Sequence, residues 1–85
     1  MANPEDAPTL DSMGWVLFKL EKYEEAYAYL HAAHERLLDE EIVSHLAQVL
    51  VKLERPDEAK ELLEQSLIEI PDSTMIPEAK ELLGL

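Results

Sequence analysis

The sequence predicts an all-α protein, with two helix–turn–helix hairpins in tandem and a fifth helix closing the array. Three observations carry that expectation. Leu, Glu and Ala dominate a chain that holds only 2 glycines in 85 residues, and these are good helix formers. The segment Lys19-Leu20-Glu21-Lys22-Tyr23-Glu24-Glu25-Ala26 returns 33 residues later as Lys52-Leu53-Glu54-Arg55-Pro56-Asp57-Glu58-Ala59, with five of eight residues identical. The apolar pattern ahead of each copy also repeats, at helical spacing.

Each element follows in order. Leu10, Met13, Leu17 and Leu20 stand at i, i+3, i+7 and i+10, which predicts a helix over 7–20. Asp6 suits its N-cap and Pro8 its first turn. A second helix over 23–37 lines one face with Ala26, Leu30, Ala33 and Leu37. Asp39 then caps a third over 40–53, where Glu40 and Glu41 favour the positive dipole end. Its stripe is Val43, Leu46, Leu50 and Leu53. Pro56 opens a fourth helix over 56–70, which Pro71 stops; Ala59, Leu63, Ser66 and Ile70 line its face. The fifth begins between Ser73 and Pro77 and runs to about Leu83. The chain thus reads as one domain over 1–85, with repeats at about 7–39 and 40–72 and a capping helix at about 74–83. Gly14 and Ala47 follow the second member of each stripe, where a small residue lets a neighbouring helix come close.

Composition excludes several classes of function. A net charge of −12 repels phosphate backbones, so nucleic acid is not an expected partner. Anionic membrane surfaces are disfavoured for the same reason. No apolar run approaches the ~20 residues of a membrane span, so membrane insertion is not expected. The start, Met1-Ala2-Asn3-Pro4-Glu5-Asp6, lacks the basic and apolar regions of a signal peptide. With no cysteine there are no disulfides and no thiolate metal sites.

The repeated residues resemble the tetratricopeptide repeat, whose pattern is W-x2-L-G-x2-Y…A-x3-F…P. The first copy supplies Leu10-x2-Met13-Gly14-x2-Leu17 and Ala26-x3-Leu30. The second supplies Val43-x2-Leu46-Ala47-x2-Leu50, Ala59-x3-Leu63 and Pro71. The resemblance covers about residues 7–71 and implies a right-handed α-solenoid. Aliphatic residues replace the large aromatics of the first helix, and Leu38 stands where proline would end the first repeat. Glu21 and Glu54 occupy the turn position usually held by glycine, so a family-like backbone would force both to φ > 0. Asn3-Pro4-Glu5-Asp6 looks like the tail of a preceding repeat, and Asp11-Ser12-Met13-Gly14-Trp15-Val16-Leu17 resembles segments near the C-terminal end of longer bacterial repeat proteins. The chain is therefore expected to be a piece of such a protein, either cytoplasmic or, if from the envelope, periplasmic. The final Pro77-Glu78-Ala79-Lys80-Glu81-Leu82-Leu83 echoes Asp57-Glu58-Ala59-Lys60-Glu61-Leu62-Leu63 and is expected to cover the open end of the stack.

No catalytic constellation emerges. His31, His34 and His45 read as solvent-facing; no H-e-x-x-h type of metal motif and no third ligand accompanies them. Ser44 and His45 are helix neighbours that do not face each other, and two glycines build no phosphate loop. No enzyme, cofactor or metal is expected. The resemblance instead implies a ligand groove on the first helix of each repeat. Its positions are Pro8, Asp11, Trp15, Phe18 and Lys19, then Glu41, Ser44, Gln48, Val51 and Lys52. Trp15 and Phe18 are either apolar anchors for a ligand or packing residues between helices. The function implied is a scaffold that binds a peptide segment of a protein partner. The alternative is a spacer or weakly self-associating unit with no ligand of its own.

Overall fold

A computed structural model describes residues 5–85. Its order is α1 (Ala7–Lys19), α2 (Tyr23–Arg36), α3 (Glu40–Lys52), α4 (Pro56–Glu69) and α5 (Met75–Leu82). Among the described residues all regular structure is helical. Part of the tail-like Asn3-Pro4-Glu5-Asp6 segment, Asn3 and Pro4, lies outside the described residues.

The helix starts follow their capping residues. The Asp39 carboxylate accepts hydrogen bonds from the backbone N–H groups of Glu41 (2.9 Å) and Ile42 (3.2 Å). Asp6 holds the N-cap backbone of α1, and its carbonyl accepts from the Leu10 N–H at 2.9 Å, but its side chain makes no cap bond. Pro8 and Pro56 lie in the first turns of α1 and α4, where a missing N–H costs nothing. Each of the first four helices ends one residue earlier than the apolar pattern suggests. Leu20 and Leu53 are drawn into the caps, and Pro71 holds Ile70 out of the helix at φ −125° and ψ 70°.

The two hairpin turns are copies of one another. Glu21 N–H donates to the Phe18 carbonyl and Lys22 N–H to the Leu17 carbonyl, both at 2.9 Å. Glu54 and Arg55 do the same towards Val51 (3.0 Å) and Leu50 (2.8 Å). This pairing is the Schellman motif, which needs a left-handed residue at its corner. Glu21 and Glu54 supply it, both at φ 62°. The glycine position of the family turn is thus kept in backbone and changed in residue.

Within each hairpin the contact is tight. Ala26, Leu30 and Ala33 on α2 are fully buried, as are Ala59 and Leu63 on α4, with Ser66 nearly so. A Cβ on Gly14 would lie 2.6 Å from Leu30 Cγ and 3.2 Å from the Ala26 carbonyl oxygen, so close approach requires glycine there. The core runs on from hairpin to hairpin, joining Ala26 and Leu30 to Val43, Leu46, Val49 and Leu50, then to Leu63, Ile76 and Ala79.

The hairpins stack as in an α-solenoid, with α1, α3 and α5 in one layer and α2 and α4 in the other. α3 packs on both α1 and α2, and α5 packs on both α3 and α4. The closing helix therefore sits as the first helix of a further repeat would. Its sequence echoes α4, yet its end confirms the other equivalence. Gly84, at φ 71°, takes the corner of a third Schellman turn, with Leu85 N–H donating to the Lys80 carbonyl at 2.9 Å. Ser73 fixes the start of α5: its Oγ accepts from the Ile76 N–H at 3.1 Å and donates to the Glu40 carboxylate.

The two apolar stripes have different fates. In α3, Val43, Leu46 and Leu50 are buried, together with Val49. Of the α1 stripe only Leu10 is buried; Met13 is 40% exposed and Leu20 61%. The reason is positional: among the described residues α2 packs against α3, and no helix occupies the corresponding place against α1.

Candidate functional site

On α1, Asp11, Trp15 and Phe18 stand at i, i+4 and i+7, so the helix presents them on one face. Glu41, Ser44, His45 and Gln48 share a face of α3 for the same reason. These two faces adjoin. Across the junction the His45 Nδ1–H donates to Asp11 Oδ1 at 2.8 Å, and both side chains are only 13% exposed. In the neutral ring this bond leaves Nε2 as the acceptor.

Trp15 is the centre of an aromatic cluster. Its ring lies 4.0 Å from the His45 ring, tilted by 17°, and 4.8 Å from Phe18, tilted by 5°. Lys19 Nζ sits 4.8 Å from the indole centroid, within cation–π range. Phe18 leans in turn on Tyr23, 5.5 Å away, which ties the cluster to the start of α2. Trp15 is half-buried, so it packs between the hairpins and still offers surface. The two readings of this residue are thus compatible.

The expected site residues fall into two groups. Asp11, Trp15, Phe18 and Lys19 come together around the indole. Ser44 and Gln48 line a second stretch, a groove between α3 and α5 of about 500 Å³, with Glu41, His45, Met75, Glu78 and Leu82. Val51 is half-buried against the core. Lys52 is exposed at the end of α3, equivalent to Lys19 on α1.

Sequence reasoning missed His45, which it placed in solvent. The available signal was its position four residues after Glu41 and three before Gln48, on a face already assigned to the groove. It also missed the α5 residues, because the echo with α4 concealed which layer α5 joins. His34 departs from solvent too: its Nδ1 is buried without a hydrogen-bond partner. Burial there lowers its pKa, helped by nearby His31 and opposed by Glu69 and Glu35. His31 is exposed and pairs with Glu35 at 3.3 Å.

Chemically the junction offers an aromatic surface, a cation and hydrogen-bonding groups. Asp11, Glu41 and His45 hold ligand atoms within 4.8 Å of one another, a partial set of one nitrogen and two carboxylates that could meet a cation. Among the described residues, no helix is long and apolar enough to cross a membrane.

A family model described as tetratricopeptide repeat matches residues 17–84. Over 46 residues, 54% of this chain and 8% of the relative, the chain is 41% identical to a TPR repeat-containing protein of Pseudomonas aeruginosa. It is 34% identical to tetratricopeptide repeat protein 21B of Xenopus laevis over 98% of this chain and 6% of that protein. The chain thus spans less than a tenth of the length of these curated relatives. No solved structure matches it.

Proposed function

This chain belongs to the tetratricopeptide repeat family, and from that premise we propose that it binds a peptide segment of a partner protein along the face of α1, α3 and α5. The family is a helical scaffold that mediates protein–protein interaction rather than catalysis. The observation that carries the finer reading is the Trp15 cluster. Aromatic residues at an inter-repeat junction are the residue type that anchors protein interfaces, and Lys19 adds a charge beside the ring.

The peptide lies across Asp11, Trp15, Phe18 and Lys19, then along Ser44, Gln48 and Lys52, with Met75 and Leu82 at the far wall. Trp15 supplies apolar contact. Lys19 and Lys52 meet acidic or carboxylate groups of the ligand, while the surrounding −12 surface repels ligands acidic throughout. A mixed-charge segment fits best. The face is short, so a peptide covers less than the ~800 Å² per side of a standard interface and binds weakly.

Peptide-display selection against the whole chain tests this. Selected peptides are expected to shift the emission of Trp15, the sole tryptophan, and to lose affinity on Lys19→Glu or Lys52→Glu with helicity unchanged. Peptides that bind with Trp15 emission and both lysines indifferent would place the ligand on another face.

A further inference from the structure

Asp11, Glu41 and His45 come together where the two hairpins meet, and their donor atoms lie within 4.8 Å of one another. Glu41 and His45 stand one turn apart on α3, so both point to one side of that helix. Asp11 faces them from α1, with Oδ1 2.8 Å from His45 Nδ1. Sequence reasoning found His45 no further ligand because Asp11 is 34 residues away and arrives only through stacking. The imidazole is held in place by its neighbours. Trp15 covers one face of it at 4.0 Å, and the His45 and Asp11 side chains are only 13% exposed. Ligand atoms about 2.0–2.2 Å from a zinc ion stand roughly 3–3.5 Å from one another. Asp11 and His45 are near that spacing already, and the remaining adjustment falls to Glu41, which is exposed.

The donor set selects the ion. One imidazole nitrogen with carboxylate oxygens suits zinc and its neighbours, whereas calcium and magnesium take oxygen ligands in larger number. We infer that Asp11, Glu41 and His45 form a binding site for a divalent transition-metal ion of the zinc class, with water completing the coordination. On binding, the neutral His45 ring carries its one proton on Nε2 rather than Nδ1, so the Nδ1 lone pair and the Asp11 oxygen both turn to the ion. The ion then staples α1 to α3, which touch less than any other contacting pair of helices. The site needs no peptide ligand and stands whether or not one binds the same face.

The test titrates the untagged, chelator-treated whole chain with zinc chloride by calorimetry. One ion per chain is expected to bind, and saturating zinc is expected to raise the Tm. Glu41→Gln, at an exposed position, and His45→Ala are each expected to weaken binding by about tenfold or more. His31→Ala, which removes the exposed pair with Glu35, is expected to leave it within about twofold. Magnesium chloride at the same concentration is expected neither to compete nor to raise the Tm. Nickel(II), a paramagnetic ion of the same class, is expected to quench Trp15 with a one-to-one end point, because the indole lies against the His45 ring. No zinc binding at millimolar concentration, or binding indifferent to both Glu41→Gln and His45→Ala, would overturn the inference. So would magnesium matching zinc, which would mark a general attraction of cations to the −12 surface.

Discussion

Glu21 and Glu54 hold a backbone that suits glycine. A non-glycine residue at φ near +60° costs roughly 1–2 kcal/mol, and nothing in either turn requires a side chain, since its hydrogen bonds are all backbone. Glycine gives back part of that gain through the greater freedom of the unfolded chain. Glu54→Gly is expected to stabilise by about 0.5–1 kcal/mol, which raises the Tm of a domain this size by about 3–6 °C. A melt showing no increase would mean that the turn carries no strain. His34 is a second residue-scale case. Its folded pKa is lowered, so the unfolded state binds the proton more readily in the window just below the ordinary value of about 6.5. Stability from this residue is full above that value and is lost as pH falls through the window. Thermal melts at pH 7.5 and 5.5 should show a smaller acid-side loss in His34→Gln than in the parent chain.

At the scale of the element, α5 is the instructive case. It has eight residues, too few to stand alone in water, so its helicity comes from docking on α3 and α4. Ile76 and Ala79 are its buried residues, and Ser73 both caps its first turn and binds Glu40 on α3. Ser73→Ala removes the cap and leaves the Glu40 bond unmade. A loss of about 1–2 kcal/mol is expected, concentrated in α5. Hydrogen exchange of the Ala79–Leu83 amides should accelerate well before those of α3 do. Equal acceleration throughout would show that α5 and the hairpins unfold as one unit.

Across the whole molecule, charge works against compactness. Seven cationic side chains face nineteen carboxylates. The lysine and arginine ion pairs, Arg55–Glu58 and Lys80–Glu64 at 3.9 Å, lie at the surface and are therefore weak. Net repulsion dominates, and salt screens it. Raising sodium chloride from about 0.05 to 0.5 M, a change in screening length from roughly 14 to 4 Å, is expected to raise the Tm. A fall would mean that the few ion pairs outweigh the repulsion. The same imbalance is the ground on which a mixed-charge partner is proposed for the face of α1, α3 and α5.

The sequence by itself determined the helices, the Asp39 cap and the places of the turns. Each is written within a few residues: the 3.6-residue stripes, Asp39 ahead of Glu41 and Ile42, and the duplicated Lys-Leu-Glu corner, which the family resemblance made left-handed at Glu21 and Glu54. The family resemblance marked Asp11, Trp15, Phe18 and Lys19 as groove positions, and helical spacing, being local, sets Asp11, Trp15 and Phe18 on one face. Only the tertiary structure decided what those faces meet. The stripes of α1 and α3 read alike, yet Leu46 is buried and Met13 is not, since burial depends on a neighbouring hairpin rather than on the stripe. The pairing of Asp11 with His45 joins residues 34 apart and exists only because the hairpins stack in register. α5 resembles α4 in residues and α1 in place, because the layer a helix joins is set by which open surface precedes it.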